Sequence, residues 1–236
     1  MKILLNYADG KYFEAQQKNC LSGMFSGFNV VYKMSRNEID ASFLSRNEEI
    51  LNQKRGAGYW LWKPYFINRI LTELSESDVL FYSDSGSVFI RGLEPVFERV
   101  LDDPNGVLCF ELAGNYTERF WTKRDVFLHL NLNHSEYTDT PQRMASFMVF
   151  RGTPFAKDLV REFLDLAQRA RLITDMSNLD FWLEPGFKDH RHDQSLWSVL
   201  TKLRKVSTLP DPTQWGQIHK ESAPSDQYLL HTRDPN

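Results

Sequence analysis

The sequence predicts an α/β fold: one Rossmann-like domain over residues 1–236, with a mostly parallel central sheet flanked by helices. Short apolar runs bounded by turn residues recur at 2–7, 28–32, 78–83, 106–111 and 146–151. Most of the intervals between them carry apolar residues at helical spacing, and that alternation is the signature of strands joined by helical crossovers. At 236 residues and 42% apolar content, the chain can bury a core without disulfides.

Composition narrows the function. A formal charge of −3 gives no global field for a polyanion, so non-specific nucleic-acid binding is excluded and any phosphate must meet local basic residues or a metal. The only cysteines, Cys20 and Cys109, read as buried apolar side chains in a reducing compartment. The start, "MKILLNYADG", is too short in its apolar run for a signal peptide, and no later run approaches a membrane span. The expected location is cytoplasmic, with at most a peripheral association with a membrane.

Lys2 to Tyr7 opens the sheet and residues 28–32 continue it. In "GAGYWLWKPY", residues 56–65, Gly56 and Gly58 allow a tight turn or close backbone approach to a ligand. Trp60 and Trp62 read as packing rings. Pro64 suits the first turn of a helix, where its missing N–H would be unpaired anyway. Phe66, Ile67, Ile70, Leu71 and Leu74 then share one face of that helix. A lysine at such a helix start opposes the dipole, so Lys63 needs a separate reason to be there.

"DVLFYSDSGSVF", residues 78–89, runs an apolar strand into Ser83, Asp84, Ser85 and Gly86. Ligands of open α/β sheets bind just outside the carboxyl ends of strands, and a carboxylate there suits a hard divalent cation. The same four residues also make a good plain β-turn, so both readings of Asp84 stand. After the strand at 106–111, residues Asn115 to Arg143 combine mixed charge, aromatics and little periodicity, which predicts a long functional excursion from the sheet.

Beyond the strand at 146–151, Leu159, Val160, Phe163, Leu164 and Ala167 mark an amphipathic helix. "DHRHDQS", residues 189–195, opens another that carries Leu196, Val199, Leu200 and Leu203, with Asp193 as its expected N-cap. A helix start suits a bound anion, and Gln194 has no comparably plain structural explanation. His190 and His192 are not at zinc-finger or HExxH spacing. From Leu209 onward the prolines, Trp215, Tyr228, Leu229 and Leu230 predict an ordered C-terminal wrap over 209–236 rather than a linker. His231 offers an imidazole ligand and Arg233 a fork of donors for a phosphate, against the ordinary reading of a solvated tail.

Taken in order, "GAGYWLWKPY", the strand ending "YSDSG", "TKRDVF", "RHDQS" and "LLHTR" resemble a group of bacterial and viral GT-A glycosyltransferases of polysaccharide synthesis. That group is distantly similar to glycogenin-like transferases, and the resemblance spans Lys2 to Arg233. It implies a hexosyl- or pentosyltransferase that moves a sugar from a UDP- or GDP-linked nucleotide-diphospho-sugar to a glycan or polysaccharide acceptor. Asp84 matches the first aspartate of the Asp-x-Asp metal motif for Mn²⁺ or Mg²⁺, while Gly86 stands where the second aspartate belongs. His231 would supply the missing ligand and Arg233 would lie on the diphosphate. Donor contacts fall to Asn6, Tyr7, Lys63, Asp84, Ser85 and Gly86 at the strand ends and the helix start.

By the same resemblance Asp193 and Gln194 lie near the donor sugar as the catalytic pair. Retention is favoured, and Asp193 is the base if the reaction inverts. With the donor half so assigned, Trp121, Lys123, Arg124 and Gln142 in the excursion are the expected acceptor contacts. Two rival classes are a metal-dependent hydrolase using His190, His192, Asp193 and Asp84, and a non-catalytic sugar-nucleotide-binding relic in which Gly86 marks a lost metal site.

Overall fold

The structure, a computed structural model, describes residues 1–232. Arg233, expected on the donor diphosphate, lies outside the described residues. Among the described residues eight strands form: β1 (Lys2–Tyr7), β2 (Val30–Met34), β3 (Val79–Ser83), β4 (Ser87–Phe89), β5 (Val107–Phe110), β6 (Phe147–Arg151), β7 (Ser207–Leu209) and β8 (Leu229–His231). Six of them make the central sheet in the order β2-β1-β3-β6-β5-β7. Its pairings are parallel except for β6, which runs antiparallel to both β3 and β5.

Strand alternation explains why the sheet is covered on both faces. Ile3, Leu5 and Tyr7 of β1 and Leu80 and Tyr82 of β3 enter one core. Leu4, Val79 and Phe81 enter the other, because successive side chains of a strand point to opposite faces. The first core is closed by α2 (Trp62–Glu73), α4 (Pro154–Ala167) and α5 (His192–Leu203) through the apolar faces expected from their spacing. On the opposite face lie α1 (Phe13–Met24) and α3 (Glu94–Asp102). Gly23 of α1 packs on Leu4, and Val96, Phe97 and Val100 of α3 join the second core. Phe28, expected to begin a strand, turns into this core instead and meets Phe81, Phe89 and Phe97 edge-on, so β2 starts at Val30.

The connection after β1 runs through α1 on one face, and the return to β3 runs through α2 on the other. That change of side between β1 and β3 is the kind of switch point outside which α/β sheets bind ligands. The C-terminal segment wraps back as β8, antiparallel to β4, with His231 opposite Ser87. Tyr228 and Leu229 are buried in the second core, so truncating this strand would unpack the molecule. The excursion over 115–143 carries three short helices, Glu118–Trp121, Arg124–His129 and Ser135–Thr138, joined by turns and irregular backbone. Both cysteines are buried and free. Among the described residues no helix is long and apolar enough to cross a membrane.

Candidate functional site

Two contiguous clefts open at the carboxyl ends of β1 and β3. The larger, about 820 Å³, is lined by Tyr7 and the turn Asp9–Tyr12 after β1, by Asp84, Ser85 and Gly86 after β3, by Trp62, and by His231. The smaller, about 260 Å³, is lined by Lys63, Ala145, Arg191, Asp193 and Gln194. Trp60, Asp84 and Ser146 belong to both walls.

Lys63 stands at the centre and is 2% exposed. Its ammonium lies 2.6 Å from Asp193 Oδ2 and 3.3 Å from Asp84 Oδ1, and it donates to the Ala145 carbonyl at 3.0 Å. Only the Ala145 contact has hydrogen-bond geometry; the two carboxylates meet the ammonium as ion pairs, and Asp193 Oδ2 has no hydrogen-bond partner among the described residues. Lys63 thus lines the smaller cleft with its ammonium held by the protein, and two carboxylates explain its unfavourable helix-start position. Burial pushes the Lys63 pKa down, but Asp193 and Asp84 outweigh it and the net direction is upward, so the group stays charged. Burial raises Asp193 to about 6 even though Lys63 opposes the rise. Asp193 is therefore no helix cap; α5 has no side-chain cap at its start, and the carboxylate is spent on Lys63.

Asp84 Oδ1 also accepts from the Tyr82 hydroxyl. Its Oδ2 has no hydrogen-bond partner among the described residues, and the side chain is 35% exposed on the wall shared by both clefts. Gln194 donates from Nε2 to Gln142 Oε1 at 2.9 Å, and its Oε1 accepts from the Ala145 N–H at 3.4 Å.

The segment before Lys63 is a left-handed turn. Gly56, Ala57, Gly58, Tyr59 and Trp60 have φ of 57°, 51°, 99°, 52° and 59°, and Tyr59 N–H and Trp60 N–H bond back to the Arg55 and Gly56 carbonyls at 2.8 and 3.2 Å. This conformation costs an L-residue about 1–2 kcal/mol, and side-chain contacts offset it. Trp62 Nε1 donates to the Gly56 carbonyl at 3.0 Å, Tyr59 donates to Asp175 at 3.0 Å, and Arg55 pairs with Asp175 and Asp189 at 3.0 and 2.7 Å. A Cβ on Gly58 would lie 2.7 Å from the Leu51 Cα. Gly58→Ala is expected to destabilise the fold by about 1–3 kcal/mol, seen as a lower urea midpoint. Trp62 packs as expected, stacked on Tyr7 at 3.7 Å and 12°. Trp60 also packs, against the first core and on His192 at 5.4 Å, and its ring lines both clefts as well.

His190 and His192 are wedged beneath this turn. His190 Nε2 donates to the Leu172 carbonyl at 2.9 Å and Nδ1 accepts from the Lys123 N–H at 3.3 Å, so both ring nitrogens are occupied. His192 Nδ1 donates to the Ile173 carbonyl at 2.8 Å. Burial lowers the pKa of both, that of His190 well below 6.5. Their folded forms stay neutral while the unfolded chain protonates, so the stability they contribute is present above about 6.5 and is lost as the pH falls. Asp193 acts oppositely, because its folded pKa is raised from 3.8 to about 6 and acid relieves its burial. With two histidines against one aspartate, the urea midpoint is expected to drop between pH 7.5 and pH 5.5, and less steeply in His190→Gln.

The remaining expected contacts fall in different places. Tyr7, Ser85 and Gly86 line the larger cleft. Asn6 does not: it is fully buried, and its amide donates to Asn19 Oδ1 and the Ser83 carbonyl at 2.8 and 2.9 Å, holding the turn that presents Asp84. Of the expected acceptor residues, none lines either cleft. Lys123 is buried with its ammonium on the Met176 and Thr174 carbonyls. Gln142 is fully buried, and Arg124 pairs with Asp180 at 3.2 Å over the Trp182 ring. Trp121 sits one layer back, its ring 4.5 Å from the Arg191 guanidinium that lines the smaller cleft. These groups moved because the excursion packs its polar side chains inward. Lys11 and Lys54 on the larger cleft and Arg55 and Arg191 on the smaller were not anticipated. The turn "ADGKY" directly after the first parallel strand was the available signal for Lys11.

For a divalent cation, Asp84 and His231 line the same cleft, and β8 carries His231 alongside the Asp84–Gly86 turn, where the Thr232 N–H bonds the Gly86 carbonyl at 3.0 Å. One carboxylate with an unpartnered oxygen and one imidazole fit a cation whose other ligands are phosphate oxygens. Among the described residues no group of three or more acidic, histidine or cysteine side chains stands close enough to cage a metal alone.

No family model matches the chain and no curated protein sequence does. Solved structures do. The apo form of the glycosyltransferase GlyE of Streptococcus pneumoniae TIGR4 is 15% identical with a TM-score of 0.51, over 98% of this chain and 54% of that one. Mouse xyloside xylosyltransferase 1, apo form, is 10% identical with a TM-score of 0.54, over 99% of this chain and 97% of that one. A glycosyltransferase involved in glycosylating the major capsid of PBCV-1 is 10% identical with a TM-score of 0.54, over 98% and 93% of the two chains. This chain thus spans about half the length of GlyE, at 54%. The likeness is one of fold: the mixed α/β architecture described above is shared with these glycosyltransferases.

Proposed function

We propose that this chain transfers a glycosyl group from a nucleotide-diphospho-sugar, UDP- or GDP-linked, to a glycan acceptor. The observation that carries the reading is the position of Asp84 on the wall common to two clefts, with His231 in one and Asp193 and Gln194 in the other, on a fold shared with glycosyltransferases. The larger cleft takes the nucleotide diphosphate and the smaller one the reacting sugar and the acceptor hydroxyl.

Asp84 and His231 would hold Mn²⁺ or Mg²⁺ against the diphosphate. Such an ion, when bound, supplies positive charge to the departing nucleoside diphosphate. Lys11 and Lys54 add charge at the same cleft. Lys63 acts from behind, fixing the carboxylates of Asp84 and Asp193 and keeping their mutual repulsion from driving them apart. Gln194 offers a neutral carbonyl beside the sugar, which supports retention, because Asp193 is tied to Lys63 at 2.6 Å. In an inverting reaction Asp193 is the base, and a pKa of about 6 suits that role near neutral pH. Against the hydrolase reading, His190 has both ring nitrogens engaged within the protein.

The deciding experiment is nucleoside-diphosphate release over a panel of UDP- and GDP-linked sugars, with and without Mn²⁺ and with a glycan acceptor pool. Metal-dependent release stimulated by acceptor supports transfer; tight metal binding with no nucleotide affinity favours the hydrolase, and metal-independent nucleotide binding without turnover favours the relic. His231→Ala is expected to weaken Mn²⁺-dependent donor binding by about 10–100-fold in calorimetric titration. An unchanged titration would remove His231 from the metal.

A further inference from the structure

Gln194 lines the smaller cleft, and which end of its amide faces a substrate depends on residues that never reach the cleft. The buried carboxylate of Glu118 starts the chain of constraint. Its Oε1 accepts from the Ser198 hydroxyl and from Lys202. Its Oε2 accepts from Thr122 Oγ1 at 2.6 Å and from Gln142 Nε2 at 3.2 Å.

The end of Gln142 that meets Glu118 also lies 3.0 Å from Thr122 Oγ1, 3.4 Å from the Trp121 carbonyl and 3.4 Å from Ser195 Oγ. Thr122 has given its proton to Glu118, and Ser195 has given its own to the Trp121 carbonyl at 2.9 Å. Every neighbour of that end is therefore an acceptor, and only an NH₂ group fits there. The other end of Gln142 is then Oε1, which can only accept, so the Gln194 atom 2.9 Å away is its Nε2. Gln194 Oε1 is left with the Ala145 N–H at 3.4 Å and a spare lone pair.

We propose that Glu118 and Gln142 are positioning residues that lock the Gln194 amide with its carbonyl oxygen, not its NH₂, available in the smaller cleft. The group it meets is then electron-poor, a carbon that gains positive charge or the hydrogen of a sugar hydroxyl, and not a phosphate oxygen. The inference deepens the glycosyl-transfer reading and rests on it for the identity of that group. The lock itself stands on hydrogen-bond direction alone.

The test is a polarity swap. Gln142→Leu removes the relay, and Gln142→Glu sets two carboxylates against each other. Each single variant is expected to lower kcat for transfer about tenfold or more, with the donor KM changed less than about twofold. In the double variant Glu118→Gln/Gln142→Glu, the amide at position 118 donates to the carboxylate at 142 and to Thr122 Oγ1. The Thr122 and Ser195 hydroxyls rotate to donate to that carboxylate, its other oxygen still accepts from Gln194, and Oε1 at 118 keeps Ser198 and Lys202. That variant is expected to recover kcat to within about threefold of the parent. A swap no better than Gln142→Glu alone overturns the proposal, as does loss of kcat strictly in step with melting temperature. If no donor is turned over, the transfer reading fails separately, and the lock is read from side-chain amide resonances of ¹⁵N-labelled protein. The Gln194 NH₂ signal should move in Gln142→Leu and return toward its parent position in the swap; an unmoved signal overturns it.

Discussion

Asp84→Asn is expected to lower transfer by roughly 10²–10³-fold while leaving the protein folded. The asparagine keeps an oxygen for the Tyr82 hydroxyl and Lys63, so the turn after β3 retains its anchors. What it loses is the negative charge on the wall common to both clefts. Circular dichroism and the melting temperature should stay close to the parent values, while Mn²⁺-dependent nucleotide binding by calorimetry should fall in parallel with turnover. A variant that binds the nucleotide with its metal as the parent does would take Asp84 off the diphosphate and leave the cleft without its proposed anchor.

Lys63→Met is expected to have the largest effect on stability, about 3–5 kcal/mol at pH 8, because it strands the buried Asp193 carboxylate without its counter-charge. The pH dependence carries the diagnosis. The Asp193 carboxyl already sits at about 6 with Lys63 present, and without that ammonium it rises further. An acid whose folded pKa is raised destabilises the fold above that pKa and is relieved as the pH drops through it. The deficit between Lys63→Met and the parent should therefore shrink from pH 8 to pH 5.5. Urea titrations of the single variant and of Lys63→Met/Asp193→Asn measure it, and the double variant should recover much of the loss at pH 8. Equal deficits at both pH values would show that the lost packing of the lysine stem, rather than charge, dominates.

Much of the architecture was legible in the chain. The apolar runs became β1, β3, β5 and β6 within a residue or so because a strand buried on both faces is simply continuous apolar sequence. The faces of α2, α4 and α5 followed from their spacing. Asp84 was recognisable by its place at a strand end and Gln194 by having no plain structural explanation at a helix start, whereas Asp193 read as an N-cap, a role it does not take. Their partners were not legible. Lys63 and Asp193 lie far apart in the sequence, and nothing local says that a lysine at one helix start will neutralise an aspartate at another.

What the sequence by itself determined was therefore everything that depends on near neighbours: the period-two and helical patterns, the turn after β3, and the helix begun by Pro64. Tertiary structure decided which charged groups face solvent and which face one another. Gln142 and Lys123 look from their polarity like surface contacts for a substrate, yet both are buried: Gln142 meets the Glu118 carboxylate within the excursion, and Lys123 meets the Thr174 and Met176 carbonyls from a later part of the chain. Gly56 and Gly58 read as a turn, but the continuation of the left-handed path through Ala57, Tyr59 and Trp60 is imposed by Arg55 and Tyr59 gripping Asp175, and by the Trp60 ring leaning on His192. Left-handed backbone in L-residues is unfavourable locally. It persists only where contacts from distant parts of the chain offset it, and those exist only once the fold has closed.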